Sequence, residues 1–180
     1  MKQHLLAACL LVISACSNIQ NHDNNKDTIV TVAPIDSAVN TNTLNNQTSS
    51  QTIVDYAKTL IGVPYKYAST DPREGFDCSG FITYVFQHFG IPVPRSSVEF
   101  TNAYPEVPVA NAEQGDLILF TGTDSTDGKV GHMGIIVSNV QDSIQFIHST
   151  SGAAHGVTIT PLNTYYKSRF VKIIRVPLDK

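Results

Sequence analysis

The sequence predicts an α+β domain with N-terminal helices packed on a central antiparallel β-sheet. Apolar residues recur at helical spacing in two segments before residue 90 and at strand spacing after Gly115. Glycines stand where the two helices should stop. The order, helices first and strands afterwards, fits helices covering one side of an antiparallel sheet.

The chain opens with Lys2, a short apolar run over 5–13 and then Ser14-Ala15-Cys16. A charged start, a short apolar centre and small residues before a cut site make a secretory signal. The run is too short to cross a bilayer, which takes about 20 residues. The ending ISAC resembles a bacterial lipobox. That implies a lipoprotein signal peptide over 1–15 and a lipidated Cys16 as the first mature residue, holding the protein to the membrane. An ordinary signal cut nearby is the alternative. Ser17 after the cysteine resembles the default sorting to the outer membrane, facing the periplasm, in a Gram-negative host.

Residues 17–50 are rich in Asn, Thr, Ser and Asp, with no glycine and one proline. Such a segment cannot bury enough apolar surface to offset its ordering entropy, so 16–50 is read as a lipidated, disordered tether. The domain is assigned to 51–180. The net charge of −3 becomes −4 when the signal takes Lys2 with it. That balance argues against nucleic-acid binding, which needs a basic footprint.

The first helix is predicted over 51–61, where Ile53, Val54, Ala57, Leu60 and Ile61 share a face and Gly62 ends it. Pro64 and Pro72 mark a loop. The second helix is predicted over 78–89, with Phe81, Ile82, Val85, Phe86 and Phe89 as its stripe and Gly90 as its stop. Ser96 and Glu99 resemble a capping box that opens a short third helix. Strands are expected over 116–121, 132–138, 144–150, 157–161 and 170–176.

Exported proteins meet oxidising conditions, where cysteines usually pair. With Cys9 removed and Cys16 lipidated, Cys78 has no partner, and a leftover thiol is a candidate for chemistry. Asp77 can cap the second helix, which puts Cys78 at its first position. There the free N–H groups and the helix dipole favour a thiolate. Gly80 removes a side chain where a substrate backbone would approach. The same position also suits a buried structural thiol, because Cys78 stands four residues before Ile82 at the top of the stripe.

A nucleophilic thiol needs a base, and the base an orienting group. His4 and His22 precede the domain. His88 is about 15 Å along the helix from Cys78. His155 falls in a Gly- and Ala-rich turn and reads as solvated. His132 and His148 remain. A turn through 139–143 with Ser138 opposite Ile144 makes Gly134 face His148 and His132 face Thr150. The two histidines then share a face with Ile136 and Phe146, roughly 7–8 Å apart at the backbone. A register one residue away separates them. On one face they form a base, His132, and its orienter, His148; otherwise they are polar residues at strand ends. A metal-dependent hydrolase using His132, His148 and either Cys78 or an acid is a lesser alternative; it lacks HExxH or paired CxxC spacing, so no metal or other cofactor is expected.

In order along the chain, DCSGF, GDLILF, GHMGIIV and FIHS resemble the NlpC-type cysteine peptidases, the cell-wall branch of the papain-like enzymes. The resemblance covers about 51–176. It implies a papain-like NlpC-type fold with Cys78 as nucleophile, His132 as base and His148 as the third residue. It implies a peptidoglycan endopeptidase of the cell envelope that hydrolyses amide bonds in or between stem peptides. A wall-binding lipoprotein without activity, on the same fold, is the alternative. GVPYKY places Tyr65 near the thiol, where its phenol could donate to an oxyanion. PRSS places Arg95 and Ser96 along the cleft, with Arg95 available to a stem-peptide carboxylate. Ser79, beside the nucleophile, is a further substrate contact. Tyr65 packed as a loop aromatic and Arg95 merely solvated are the plainer alternatives. Three features depart from the pattern: Ala68-Ser69 where most members have Gly-Gly, the added Pro72-Arg73-Glu74, and the long polar loop GTDSTDGKVG.

Overall fold

The computed structural model describes residues 48–123, 126, 128–141 and 143–178. The expected signal, Cys16 and nearly all of the expected tether lie outside the described residues.

Ser49 and Thr52 cap each other reciprocally and open α1 (Ser50–Thr59). The helix buries Ile53, Val54 and Ala57. Ile61, expected on that face, is 51% exposed because the helix has already ended. The expected loop that follows folds back on itself as β1 (Thr70–Asp71) and β2 (Gly75–Phe76). Arg73–Asp71 and Lys66–Glu74 ion pairs, at 2.6 and 2.7 Å, tie its turn. Ala68 has a φ of 59°. That left-handed backbone costs an alanine roughly 1–2 kcal/mol.

α2 (Cys78–His88) buries Phe81, Ile82, Val85 and Phe86, as its stripe requires. The Ser96–Glu99 capping box opens a 3₁₀ turn over Ser97–Asn102 rather than an α-helix. The strands are β3 (Glu106–Val107), β4 (Leu117–Thr121), β5 (Val130–Val140), β6 (Ser143–Thr150), β7 (Gly156–Pro161) and β8 (Phe170–Ile174). They form one antiparallel sheet in the order β3-β8-β4-β5-β6-β7. A one-turn helix, α3 (Thr164–Lys167), and the short β3 had no counterpart in the sequence reading.

Alternation along the strands divides the core. Leu117, Leu119, Met133 and Ile135 pack with α1 and α2. On the other face Ile118, Phe120, Ile136 and Phe146 pack with Tyr166 of α3. Both faces of the sheet are therefore covered, which explains why β4 is buried along its whole length.

Two irregularities in β5 position the site. Phe120 pairs with His132 and Thr121 with Val130, so Gly131 is an extra residue at a bulge. The β5–β6 turn pairs Ser138 with Gln145, one residue away from the expected Ser138–Ile144 pairing. Continued, that register would send His132 and His148 to opposite faces. A second bulge leaves Val137 unpaired, and beyond it Ile136 faces Phe146 and Ile135 faces Ile147. The expected register is thus restored at the histidine end.

Candidate active site

The sulfur is presented by a clamped helix start. Asp77 caps α2 by accepting from the Gly80 N–H. Its carboxylate also takes two bonds from Arg95, from Nη2 at 2.7 Å and Nη1 at 3.1 Å. Ser79 Oγ, 3.2 Å from Asp77 Oδ1 and 3.1 Å from Arg95 Nη1, completes the cluster. A Cβ at Gly80 would collide with the Ser69 carbonyl and stand 2.9 Å from Asp77 Oδ1. Glycine there serves the cap and the adjoining loop, not an approaching substrate as the sequence reading held. Cys78 is a half-buried free thiol whose Sγ lies 3.8 Å from the carbonyl of Gly131, the bulge residue preceding His132.

The imidazoles are presented by the sheet. His132 Nε2 lies 2.8 Å from His148 Nδ1, and His148 Nε2 lies 2.9 Å from Thr160 Oγ1. His148 is fully buried. Phe146 and Tyr166 surround its ring at centroid distances of 4.8 and 5.5 Å. Gly134 makes this packing feasible, since a Cβ there would stand 2.7 Å from the Phe146 ring and 3.2 Å from His148 Cβ.

Cys78, His132 and Tyr65 line one cavity of about 790 Å³. Tyr65 is held there by an isolated bridge to Phe76 and by donating its N–H to the His155 carbonyl. The other residues named from the resemblance lie elsewhere. Ser79 is buried in the Asp77 cluster, and Arg95 is engaged with Asp77 instead of facing the cavity. Ser96 caps the 3₁₀ turn through Glu99. His88 stacks on Tyr56 at 3.7 Å, remote from the site. The cavity also takes Thr160, Tyr165, Tyr166 and Arg169, none of which the sequence reading had named. Thr160 could have been found by extending strand register to β7; the segment carrying the other three has no periodicity that points to a site. Among the described residues, no three of His, Cys, Asp and Glu converge as a metal-ligand set.

Burial pushes the Cys78 thiol up to about 11, and the Asp77 carboxylate adds to the rise. Backbone N–H groups of Ser79, Cys78 and Met133 pull the other way. The helix-start effect anticipated from sequence is present, but burial and Asp77 outweigh it. Burial also drives His132 down, with His148 and Arg169 adding to the fall, and it lowers His148 to about 4. Both shifts favour the uncharged forms, a thiol and a neutral imidazole, and so oppose the thiolate that the helix start favours. Tyr65 is raised by burial and then by Cys78, so its phenol keeps its proton.

Fold and site together define an α+β protein in which a helix-start thiol and His132, the outer member of a sheet-borne histidine pair, share one cavity. The NlpC/P60 family profile matches residues 62–175, and the chain belongs to this family. It is 33% identical over 132 residues to the gamma-DL-glutamyl hydrolase of Bacillus subtilis, covering 73% of this chain and 31% of that one. It is 33% identical over 138 residues to the murein DD-endopeptidase MepS/murein LD-carboxypeptidase of Escherichia coli K12, covering 75% of this chain and 67% of that one. Among solved structures, an NlpC/P60 family protein from Bacillus cereus superposes with a TM-score of 0.63 at 31% identity. That match covers 72% of this chain and 40% of that one.

Proposed function

We propose that this protein hydrolyses amide bonds in or between peptidoglycan stem peptides, with Cys78 as nucleophile, His132 as base and His148 as the residue that orients it. The observation carrying this reading is that a half-buried thiol and His132, itself hydrogen-bonded to the buried His148, line one cavity. The names of the two relatives, a glutamyl hydrolase and a murein endopeptidase, support hydrolysis, and the second supports a wall peptide as substrate.

The pair starts neutral. With the His148 Nε2–H donated to Thr160 and the His132 Nε2–H donated to His148 Nδ1, the lone pair of His132 Nδ1 faces the chemistry. It takes the thiol proton as sulfur attacks the carbonyl. The carbon–sulfur bond forms and the oxyanion accepts from the Cys78 N–H and the Tyr65 phenol. His148 steadies the imidazolium. His132 then protonates the leaving amine as the carbon–nitrogen bond breaks. A water, deprotonated by His132, releases the acid from the thioester and the thiol is restored. Lipid at Cys16 and the tether that follows would hold this domain beside its mesh, on the outer membrane facing the periplasm.

The test is mass spectrometry of fragments released from defined muropeptides by the native protein and by Cys78→Ala. Release should fall by about 10³-fold or more in the variant. Equal release by both removes Cys78 as nucleophile. Tight binding to wall sacs without release favours a wall-binding role.

A further inference from the structure

The four arginines of the chain are not treated alike. Arg73, Arg95 and Arg175 each meet a carboxylate, at 2.6, 2.7 and 2.7 Å. Arg169 is the most buried of the four, only 9% exposed, yet its guanidinium bonds among the described residues go to neutral oxygens. Nη2 donates to the Thr121 carbonyl at 2.6 Å and Nη1 donates to the Tyr165 phenol. The Tyr165 ring covers the guanidinium at 5.0 Å. The Nε–H is buried and has no acceptor, and Thr121 Oγ1 at the same junction is likewise buried without a partner. A buried cation with neutral partners alone and a donor unused is costly to hold.

Its location gives that cost a use. Arg169 stands between α3 and β8, with its N–H donated to Tyr166 and its carbonyl accepting from Thr121. It lines the same cavity as Cys78 and His132. The guanidinium fork fits a carboxylate better than any neutral acceptor. We propose that Arg169, steadied by Tyr165, is a specificity-determining residue that binds a free carboxylate of the peptide near the amide attacked by Cys78. This rests on the peptide-hydrolase reading above and names what that hydrolase selects: acidic peptides with an unmodified carboxylate flanking the scissile bond. It has a catalytic consequence. Arg169 is one of the groups that hold His132 neutral. A carboxylate paired with it cancels that field, so the substrate makes its own base stronger on arrival.

The test uses two stem peptides that differ only in whether the flanking carboxylates are free or amidated. The intact native protein should favour the free acid by about tenfold to a hundredfold in kcat/KM. Arg169→Gln should lose that preference, slowing on the acid relative to the amide, and Arg169→Lys should keep part of it. A native protein indifferent to amidation overturns the subsite, and so does an Arg169→Gln protein of unchanged circular dichroism that slows equally on both peptides. Should Arg169→Gln fail to fold, the native and Arg169→Lys comparisons still decide. Calorimetric binding of both peptides to Cys78→Ala separates the two readings. Acid-selective binding without turnover by the native protein would retain the subsite and remove the hydrolase. Turnover without acid selectivity would do the reverse.

Discussion

The start of α2 and the β5–β6 pair deliver the two halves of one site by opposite physical means. At the helix start the fixed element is a charge. Asp77 is held by Arg95, Ser79 and the Gly80 N–H, and the helix that carries Cys78 starts from it. At the strand pair the fixed element is a volume. His148 sits fully buried between Phe146 and Tyr166, in space that Gly134 leaves open. The charge states follow from the same contrast. Burial and a neighbouring carboxylate keep the thiol protonated, whereas burial keeps the imidazoles unprotonated. The sulfur's position should therefore answer to ion pairing, and the base's position to packing.

The largest effect should come from the volume side. Gly134→Val should cost about 2–3 kcal/mol, because its side chain must displace the Phe146 ring or the His148 Cβ. A lowered urea midpoint with loss of hydrolysis is expected. A valine variant as stable and active as the native protein would break the claim that packing sets the histidines.

Acid comes next. Both imidazoles titrate below their ordinary 6.5 in the folded state, His148 at about 4 and His132 at about 3. The unfolded chain takes up these protons first as pH falls, so their stabilising contribution is complete above 6.5. It drains away as pH drops towards those folded values, at a limit of about 1.4 kcal/mol per pH unit per group. Thermal melts from pH 7 to pH 4.5 should show a falling Tm, and His148→Gln should flatten the slope. A Tm independent of pH over that range would mean the imidazoles are not held neutral.

The smallest effect belongs to the charge side. Arg95→Met should cost about 1 kcal/mol, because the arginine is partly solvated and Asp77 keeps its Gly80 and Ser79 partners. Its sharper readout is chemical. Without Arg95 the Asp77 carboxylate acts unshielded on the sulfur, and the pH midpoint of iodoacetamide labelling at Cys78 should move up. An unmoved midpoint would show that the clamp places the helix without tuning the thiol.

The local parts of the site were legible because they depend on near neighbours in the chain. Asp77 reads as a cap and Cys78 as the first helical residue from the stretch that begins FDCSGF, and the structure agrees. Gly134 opposite His148 was expected from a turn pairing that the structure replaces; the bulge at Val137 restores that register, and the glycine does open space beside the ring. The resemblance places Arg95 along the cleft, whereas its pairing with Asp77, 18 residues away, has no signature in local spacing. Tyr166 and Arg169 escaped because they join the site only when α3 folds over the far face of the sheet.

The sequence by itself determined the main elements and the chemistry they carry: the two long helices, the five longer strands, where the thiol stands on its helix and which histidines lie on neighbouring strands. Only the tertiary structure decided that those histidines share a face. The turn sets the register that would part them, and the unpaired Val137 reverses it. Ile135, Ile136 and Val137 are all apolar, so alternation is silent on where the extra residue belongs. Both sheet faces are buried at that point, and packing against the two of them chose.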